Sequence, residues 1–381
     1  MSNGAKRIAC IMEPLDVLFF RDGRPFGPAT RGESSALPTP QTLAGALTTA
    51  LLAAHGCDFE QLSSAIKGGV SWPNVLGQLK LPDTIAQVRF RGPWPARVGN
   101  SDHATPQVLV PTPALLHKPA KSETPADFVC LRPAPCEIPG WNQSPRWPPA
   151  ELTPLMAPGY GPTEPAGHWL TLDGLQKLLQ GEIPSPNETW VHSRELFEWD
   201  YRTGVGIDAS SQTAEEGLIY AARFVAMRQR PGEPRQVVLY AEVEAPGDIE
   251  QKLREIQSIA LGGEAKRVAL RWLHQPVAWP AASTDSKNDA YLVVLTTPGI
   301  FQLGWVPAVI EQQVVAAAVP DPLPTSGWDL ARGGPKPLRW AAPGGSTWLV
   351  KSPISEEFFS LSDAPEDQRL GWGCFVQGVC P

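Results

Sequence analysis

The chain has 381 residues, is 42% hydrophobic and 19% charged, and carries a formal net charge of −7. That length suggests about two to three domains and a sizeable core, while the acidic balance excludes a protein that coats nucleic acid non-specifically and leaves room for a local basic groove. Apolar runs fall well short of the roughly 20 residues a membrane helix needs, and the N-terminus shows no secretory-signal pattern, so a cytoplasmic protein without membrane contact is expected. Six scattered cysteines, at 10, 57, 130, 136, 374 and 380, form no CxxC pair. They read as reduced thiols, and no Cys/His cluster has zinc-ligand spacing.

In chain order, residues 8–20 form an apolar β run interrupted by Pro14, which implies a bulge or an edge position. A loop with Arg21, Arg24 and Arg31 follows. Thr39 and Pro40 then read as N-cap and first residue of a helix whose Leu43, Leu47 and Leu51 share one face, and Gly56 stops it. Short strands are expected at 87–90 and 107–110. Proline is twice its usual frequency, with 42 in the chain and 17 of them between Gly92 and Pro165. Trp94, Trp141, Trp147 and Trp169 lie among these prolines, so this region reads as irregular loops pinned by aromatic packing, with a disordered stretch at 117–127. A short helix is expected at 172–179 and a Gly/Ser/Thr loop at 201–214.

The second half reads as strands at 217–229 and 236–244 joined as a hairpin, a helix over 249–260 ended by Gly262–Gly263, and strands at 267–273, 291–296, 347–350 and 371–379. Short antiparallel strands mixed with few helices point to an α+β fold. Two βαββαβ-type modules fit best, divided at 1–214 and 215–381, the first with a Pro-rich insertion near 92–165.

Four segments could carry chemistry. The loop 21–35 places arginines before a helix N-terminus, an arrangement suited to phosphate; a solvated loop with internal Arg–Asp pairs is the plain alternative. RTGVGID (202–208) is Gly-rich but is no dinucleotide fingerprint; its glycines could admit a ligand backbone or simply make a turn. In LGGEAKR (261–267) a glycine can cap a helix, and Lys266 and Arg267 could reach phosphate. GWG (371–373) could offer Trp372 as a stacking platform for a base, or bury it in a tight turn. Among the isolated histidines, His117 beside Lys118 is the best candidate for general acid–base chemistry on RNA, with His55 second. No Walker loop, HExxH, GxSxG or paired-carboxylate pattern calls for a cofactor or metal.

In order, PLDVLFFRDGRPF, LPTPQTLAGAL, RTGVGID with TAEEGLIY, LGGEAKR and the terminal GWGCFVQG resemble the RAMP proteins of type III-B CRISPR systems, most closely the third-subunit family of the Cmr effector complex. The resemblance implies two ferredoxin-like (RRM-like) modules in a non-catalytic subunit. It would bind the 5′ repeat-derived tag of crRNA and sit beside the large polymerase/cyclase-like subunit and the backbone RAMP subunits. Target RNA would be met only through the complex. It also implies that Arg21, Arg24 and Arg31 line one wall of a tag groove, with Thr39 and Thr42 at the helix start. Arg202, Gly204 and Gly206 would lie on the same surface, and Gly371, Trp372 and Gly373 would form a terminal loop. The RAMP superfamily also contains repeat-processing, metal-independent endoribonucleases, which keeps His117 and Lys118 in play. A scaffold that touches only proteins is a third reading.

Overall fold

The computed structural model describes residues 5–381 except 22–36, 100–103, 124, 135–151, 158, 209, 212, 229–234, 281–289 and 330. Eight strands form the large sheet: β1 (Lys6–Pro14), β2 (Arg89–Gly99), β3 (Gln107–Pro111), β4 (Trp169–Thr171), β5 (Trp190–Val191), β8 (Arg235–Ala245), β9 (Ser258–Ala260) and β10 (Arg267–Leu273). Their order is β5-β4-β3-β2-β8-β1-β10-β9, antiparallel throughout. Between β5 and β8 in sequence come β6 (Phe197–Ile207) and β7 (Ala214–Met227), which pair with each other as a two-stranded ribbon.

The centre of the large sheet is a ferredoxin-like module. Its strands β1, β2, β8 and β10 stand in the spatial order second, third, first, fourth, with α1 (Pro40–Ala54) after the first strand and α5 (Gly247–Arg254) after the third. Both helices lie on one face. Leu43, Leu47 and Leu51 of α1 and Ile249 and Leu253 of α5 are buried with Ile8, Cys10 and Met12 of β1 and Leu239, Ala241 and Val243 of β8. Each such leucine contributes about 1.5–3 kcal/mol of burial, so period-four leucines in α1 and period-two residues in the strands are one requirement seen from two sides. The same core takes in Leu62 of α2 (Phe59–Lys67) and Val75 and Leu76 of α3 (Trp72–Gln78). The helix stops as its sequence predicts, with Gly56 at φ 71°.

A second four-stranded sheet repeats the order. β11 (Tyr291–Leu295), β12 (Val314–Ala318), β17 (Thr347–Val350) and β18 (Phe375–Val379) run β12-β17-β11-β18, again second, third, first, fourth, with α6 (Pro365–Leu370) before the last strand. Its Leu292, Val294, Leu349 and Val376 pack against Ala9, Ile11, Trp94, Val238 and Tyr240 on the far face of the large sheet. Helix α4 (Leu172–Leu179) closes that cluster with Leu175, Leu178 and Leu179. The fold is therefore α+β with two ferredoxin-like sheets, but the chain divides differently from the sequence expectation. Residue 214 falls inside a long insertion between β2 and β8, and β8, α5 and β10 complete the first module.

Other local expectations change for physical reasons. The Gly92–Pro95 segment is not a loop but the interior of β2; a register shift opposite Tyr240–Glu242 absorbs Gly92 and Pro93, while Pro95 stands in register with Leu239. Pro14 ends a central strand, so neither bulge nor edge is needed. Leu116–Pro119 is ordered as a strand between Val129–Cys130 and Thr163–Pro165, not disordered. The hairpin expected from 217–229 and 236–244 does not form, because β7 pairs with β6 while β8 sits between β1 and β2. The helix expected to reach residue 260 ends at Arg254, and Ile259 enters β9. Trp141 and Trp147 lie outside the described residues.

Candidate nucleic-acid interface

Three segments far apart in sequence meet at the base of the β6–β7 ribbon. The chain leaving β1 forms a bridge between Leu18 and Val225, with reciprocal backbone hydrogen bonds of 2.8 Å. This sets the Phe19 ring 5.0 Å from the Phe224 ring. The β9–β10 turn closes against the same point: Gly263 N–H donates to the Phe19 carbonyl at 2.8 Å. Gly262 has φ 84°, and a Cβ there would lie 2.4 Å from that carbonyl oxygen. Only glycine meets both conditions. LGGEAKR is therefore a strand-to-strand turn, closed by Leu261 N–H to the Lys266 carbonyl, and not the helix cap its sequence allows.

Cations gather on this aromatic pair. The Arg202 guanidinium lies 4.9 Å and the Lys266 ammonium 5.4 Å from the Phe224 ring centroid. Lys266 also donates to Asp16 at 2.7 Å. Arg202 donates twice to Asp200, at 2.9 and 2.7 Å, and stands 4.0 Å from Asp16. The Lys266 hydrogen bond holds the Asp16 carboxyl below the usual carboxylate range, and the Asp200 hydrogen bond raises Arg202. These ion pairs are solvent-facing, a class worth about 0–1 kcal/mol each. They orient the two cations without committing them, so a phosphate can replace a carboxylate at small cost. Arg267 belongs to the same turn, where it donates to Ser258 Oγ at 2.7 Å.

The ribbon extends this surface. Arg202 and Gly204 share one face, and Tyr201 and Val205 are exposed on the other. Gly206 occupies the register irregularity between Val205 and Ile207. RTGVGID is thus a strand in a long hairpin and not a loop. Arg223 stacks 3.9 Å from the Trp199 ring centroid on the same ribbon. Arg21, which joins the end of the Phe19–Phe20 segment, has interactions of its own, whereas Arg24 and Arg31 lie outside the described residues.

Two predicted parts do not join this cluster. Thr39 is the residue before α1, but its hydroxyl makes no cap; it bonds the Thr42 hydroxyl at 3.0 Å. The terminal GWG motif is a packing device. Gly371 ends α6 at φ 93°, where a Cβ would lie 2.8 Å from the Phe90 carbonyl oxygen, and Gly373, at φ 71°, is pressed against Ser362. Trp372 between them is 0% exposed, which removes it as a stacking platform. His117 is half-buried against Thr163 Oγ1 at 3.2 Å, and Lys118 is bound to Glu164 and to the Ser122 carbonyl. His55 turns back on the Leu51 carbonyl. Among the described residues there is no group of three or more metal-ligating side chains, and no helix is long and apolar enough to cross a membrane.

Sequence reasoning missed Asp16, Phe19, Asp200 and Phe224. Asp16 and Phe19 lie within the PLDVLFFRDGRPF motif, where the arginines drew the reading, Asp200 and Phe224 carry no motif, and the Leu18–Val225 bridge brings the four together.

No curated protein matches the chain significantly. Among solved structures, a chain of the type III-B Cmr-beta bound to cognate target RNA is similar at 16% identity, over 90% of this chain and 86% of that one, with a TM-score of 0.47. A chain of the same assembly with target RNA and AMPPnP, state 1, is similar at 16% identity and the same coverage, with a TM-score of 0.46. The family model of the CRISPR-associated protein Cas_Cmr3 matches residues 10–379, and the chain therefore belongs to that family, the type III-B Cmr effector subunits that its sequence motifs resemble.

Proposed function

We propose that this subunit binds the 5′ repeat-derived tag of crRNA at the base of the β6–β7 ribbon, without catalysing a reaction itself, and docks the large polymerase/cyclase-like subunit. The observation that carries this reading is the convergence of Arg202 and Lys266 on the Phe19–Phe224 pair, with Arg21 and Arg267 on the adjoining segments. Phosphate contacts from these cations position the RNA. Arg24 and Arg31, which precede α1 in sequence, would extend the same wall. Glycines 204 and 206 leave the ribbon backbone open to a phosphodiester chain.

Site-resolved crosslinking of a 5′-labelled guide RNA, with and without its tag, tests this on the chain within its assembled complex. Tag-dependent adducts at residues 16–21, 199–206 or 262–267 are expected. Arg202→Ala and Lys266→Ala should each weaken tag binding, and each lost phosphate contact should reduce the slope of log K against log salt by about 0.7. Adducts found only on neighbouring subunits, with both variants binding as the parent does, would reassign the cluster to a protein contact.

A further inference from the structure

The C-terminal module carries a feature that the tag site does not use. Residues 323–341 form one interrupted hairpin: β13 (Leu323–Thr325) pairs with β16 (Arg339–Ala341), and inside it β14 (Trp328–Asp329) pairs with β15 (Gly334–Pro335). Its base is fixed on one side. Thr325 is buried, and Arg339, directly opposite, donates to Asp367 of α6 at 2.9 Å. Strand alternation then turns Trp340 outward, opposite Pro324. Trp340 is 54% exposed, and Trp328, opposite Pro335 nearer the tip, is 59% exposed. Two tryptophans left this open in a chain that buries Trp94, Trp348 and Trp372 completely stand apart.

Around them the charge is positive, against the acidic balance of the whole chain. Between the tryptophans lie Arg332, Lys336 and Arg339, with Asp329 as the one acid. Arg332 is exposed at the tip, 3.9 Å from Asp329. Lys336 is exposed and has no carboxylate partner among the described residues. The hairpin is also held still. Gln41 of α1 donates to the Ser326 carbonyl, and Ser63 of α2 to the Ala331 carbonyl. Pro324, Pro335 and Pro337 stiffen it further. A rigid aromatic surface loses little conformational entropy on binding.

We propose that this hairpin is a second single-stranded RNA contact, in which Trp328 and Trp340 stack on bases while Lys336 and Arg332 meet phosphates. Aromatic side chains interleaved with basic ones, on a pre-formed ribbon, suit a strand whose every base offers a π-face and whose backbone is anionic. Double-stranded RNA would not bind there, because its bases are already stacked. This inference rests on the reading of the protein as an RNA-binding subunit but concerns a different surface and different residues.

Two measurements test it. The full-length chain is titrated with a fluorescein-labelled oligouridine: Trp328→Ala and Trp340→Ala should each weaken binding by about tenfold, and Trp328→Phe and Trp340→Phe should recover most of it. The assembled complex is also irradiated with guide and target RNAs carrying 4-thiouridine; RNA adducts on 328–340 are expected. Unchanged affinity in both alanine variants together with no RNA adduct on the hairpin would overturn the proposal. So would adducts that join the hairpin only to another protein chain. Loss confined to the tryptophan variants, with Arg202→Ala and Lys266→Ala binding oligouridine as the parent does, would uphold the hairpin and leave the tag site to its own test with tagged guide RNA. The reverse pattern would overturn the hairpin alone.

Discussion

Gly262 shows how much one residue can decide. Its positive φ and the Phe19 carbonyl 2.4 Å from a would-be Cβ leave no room for a side chain, and a backbone oxygen cannot swing aside. Gly262→Ala should cost about 2 kcal/mol or more. That should lower the melting temperature by several degrees and, because the turn carries Lys266, should weaken the tag binding proposed above with it. A variant as stable as the parent would show that the turn can be re-formed. His168 makes a different prediction. Its ring stacks on His192 with centroids 3.8 Å apart, and its Nδ1 faces Ser193. Burial, with the His192 charge adding to it, pushes His168 down to about 4, against an ordinary value near 6.5. Between those pH values the unfolded chain holds a proton that the folded chain does not. Stability should therefore fall as pH drops from about 6.5 towards 4, and no further loss from this group follows below that. His168→Asn, which tolerates the residue's φ of 59°, should flatten thermal stability over that window. His192, shifted in the same direction, would retain part of the slope. An identical pH profile in the variant would remove His168 as the cause.

At the scale of elements, the β6–β7 ribbon stands apart from both sheets. Its backbone tie to the module is the Leu18–Val225 bridge near its base. A ribbon that buries little contributes little to stability, so its outer part is available for partners. Replacing residues 204–219 by a short glycine turn should leave the melting temperature nearly unchanged and weaken tag binding by about tenfold, equivalent to about 1.4 kcal/mol. A cooperative loss of structure would show that the ribbon is part of the fold. Helix α1 is the opposite case, with Leu43, Leu47 and Leu51 fully inside the first core. Its position was readable because burial on one face imposes a period on the sequence. The ribbon was readable only in part: residues 217–229 read as a strand, but β6, whose side chains are half-buried or exposed throughout, obeys no such pattern and read as a loop.

At the scale of the whole molecule, one buried carboxylate joins parts that the sequence separates. Glu242 of β8 is 0% exposed. It accepts hydrogen bonds from Tyr240 at 2.8 Å and Trp279 at 2.6 Å and lies 3.6 Å from Arg91 of β2. Trp279 and Val277, whose N–H donates to the Tyr240 hydroxyl, belong to the segment running from the first module to the second. Glu242→Ala would strand Arg91 and release that segment. We expect a loss of about 3–5 kcal/mol by chemical denaturation, and a smaller one for Glu242→Gln, which still accepts both hydrogen bonds. A loss under about 1 kcal/mol in the alanine variant would show that the network is dispensable.

The sequence alone determined the class of the fold and the helices and strands with a buried face, because the hydrophobic effect writes its period directly into the chain. It also determined the family, through motifs at both ends and in the middle. The partners of each strand were decided only in three dimensions. Residues 235–273 return to complete the module that residues 6–99 begin, and nothing local in either segment records that pairing. The fate of the glycine motifs was likewise tertiary: GG at 262–263 and GWG at 371–373 look alike as strings. The first lies under the cation cluster because Phe19 crosses it, whereas the second is sealed against β2, and its tryptophan with it. A positive φ is a property of the backbone turn, and what the turn touches depends on which strand the rest of the chain has laid beside it.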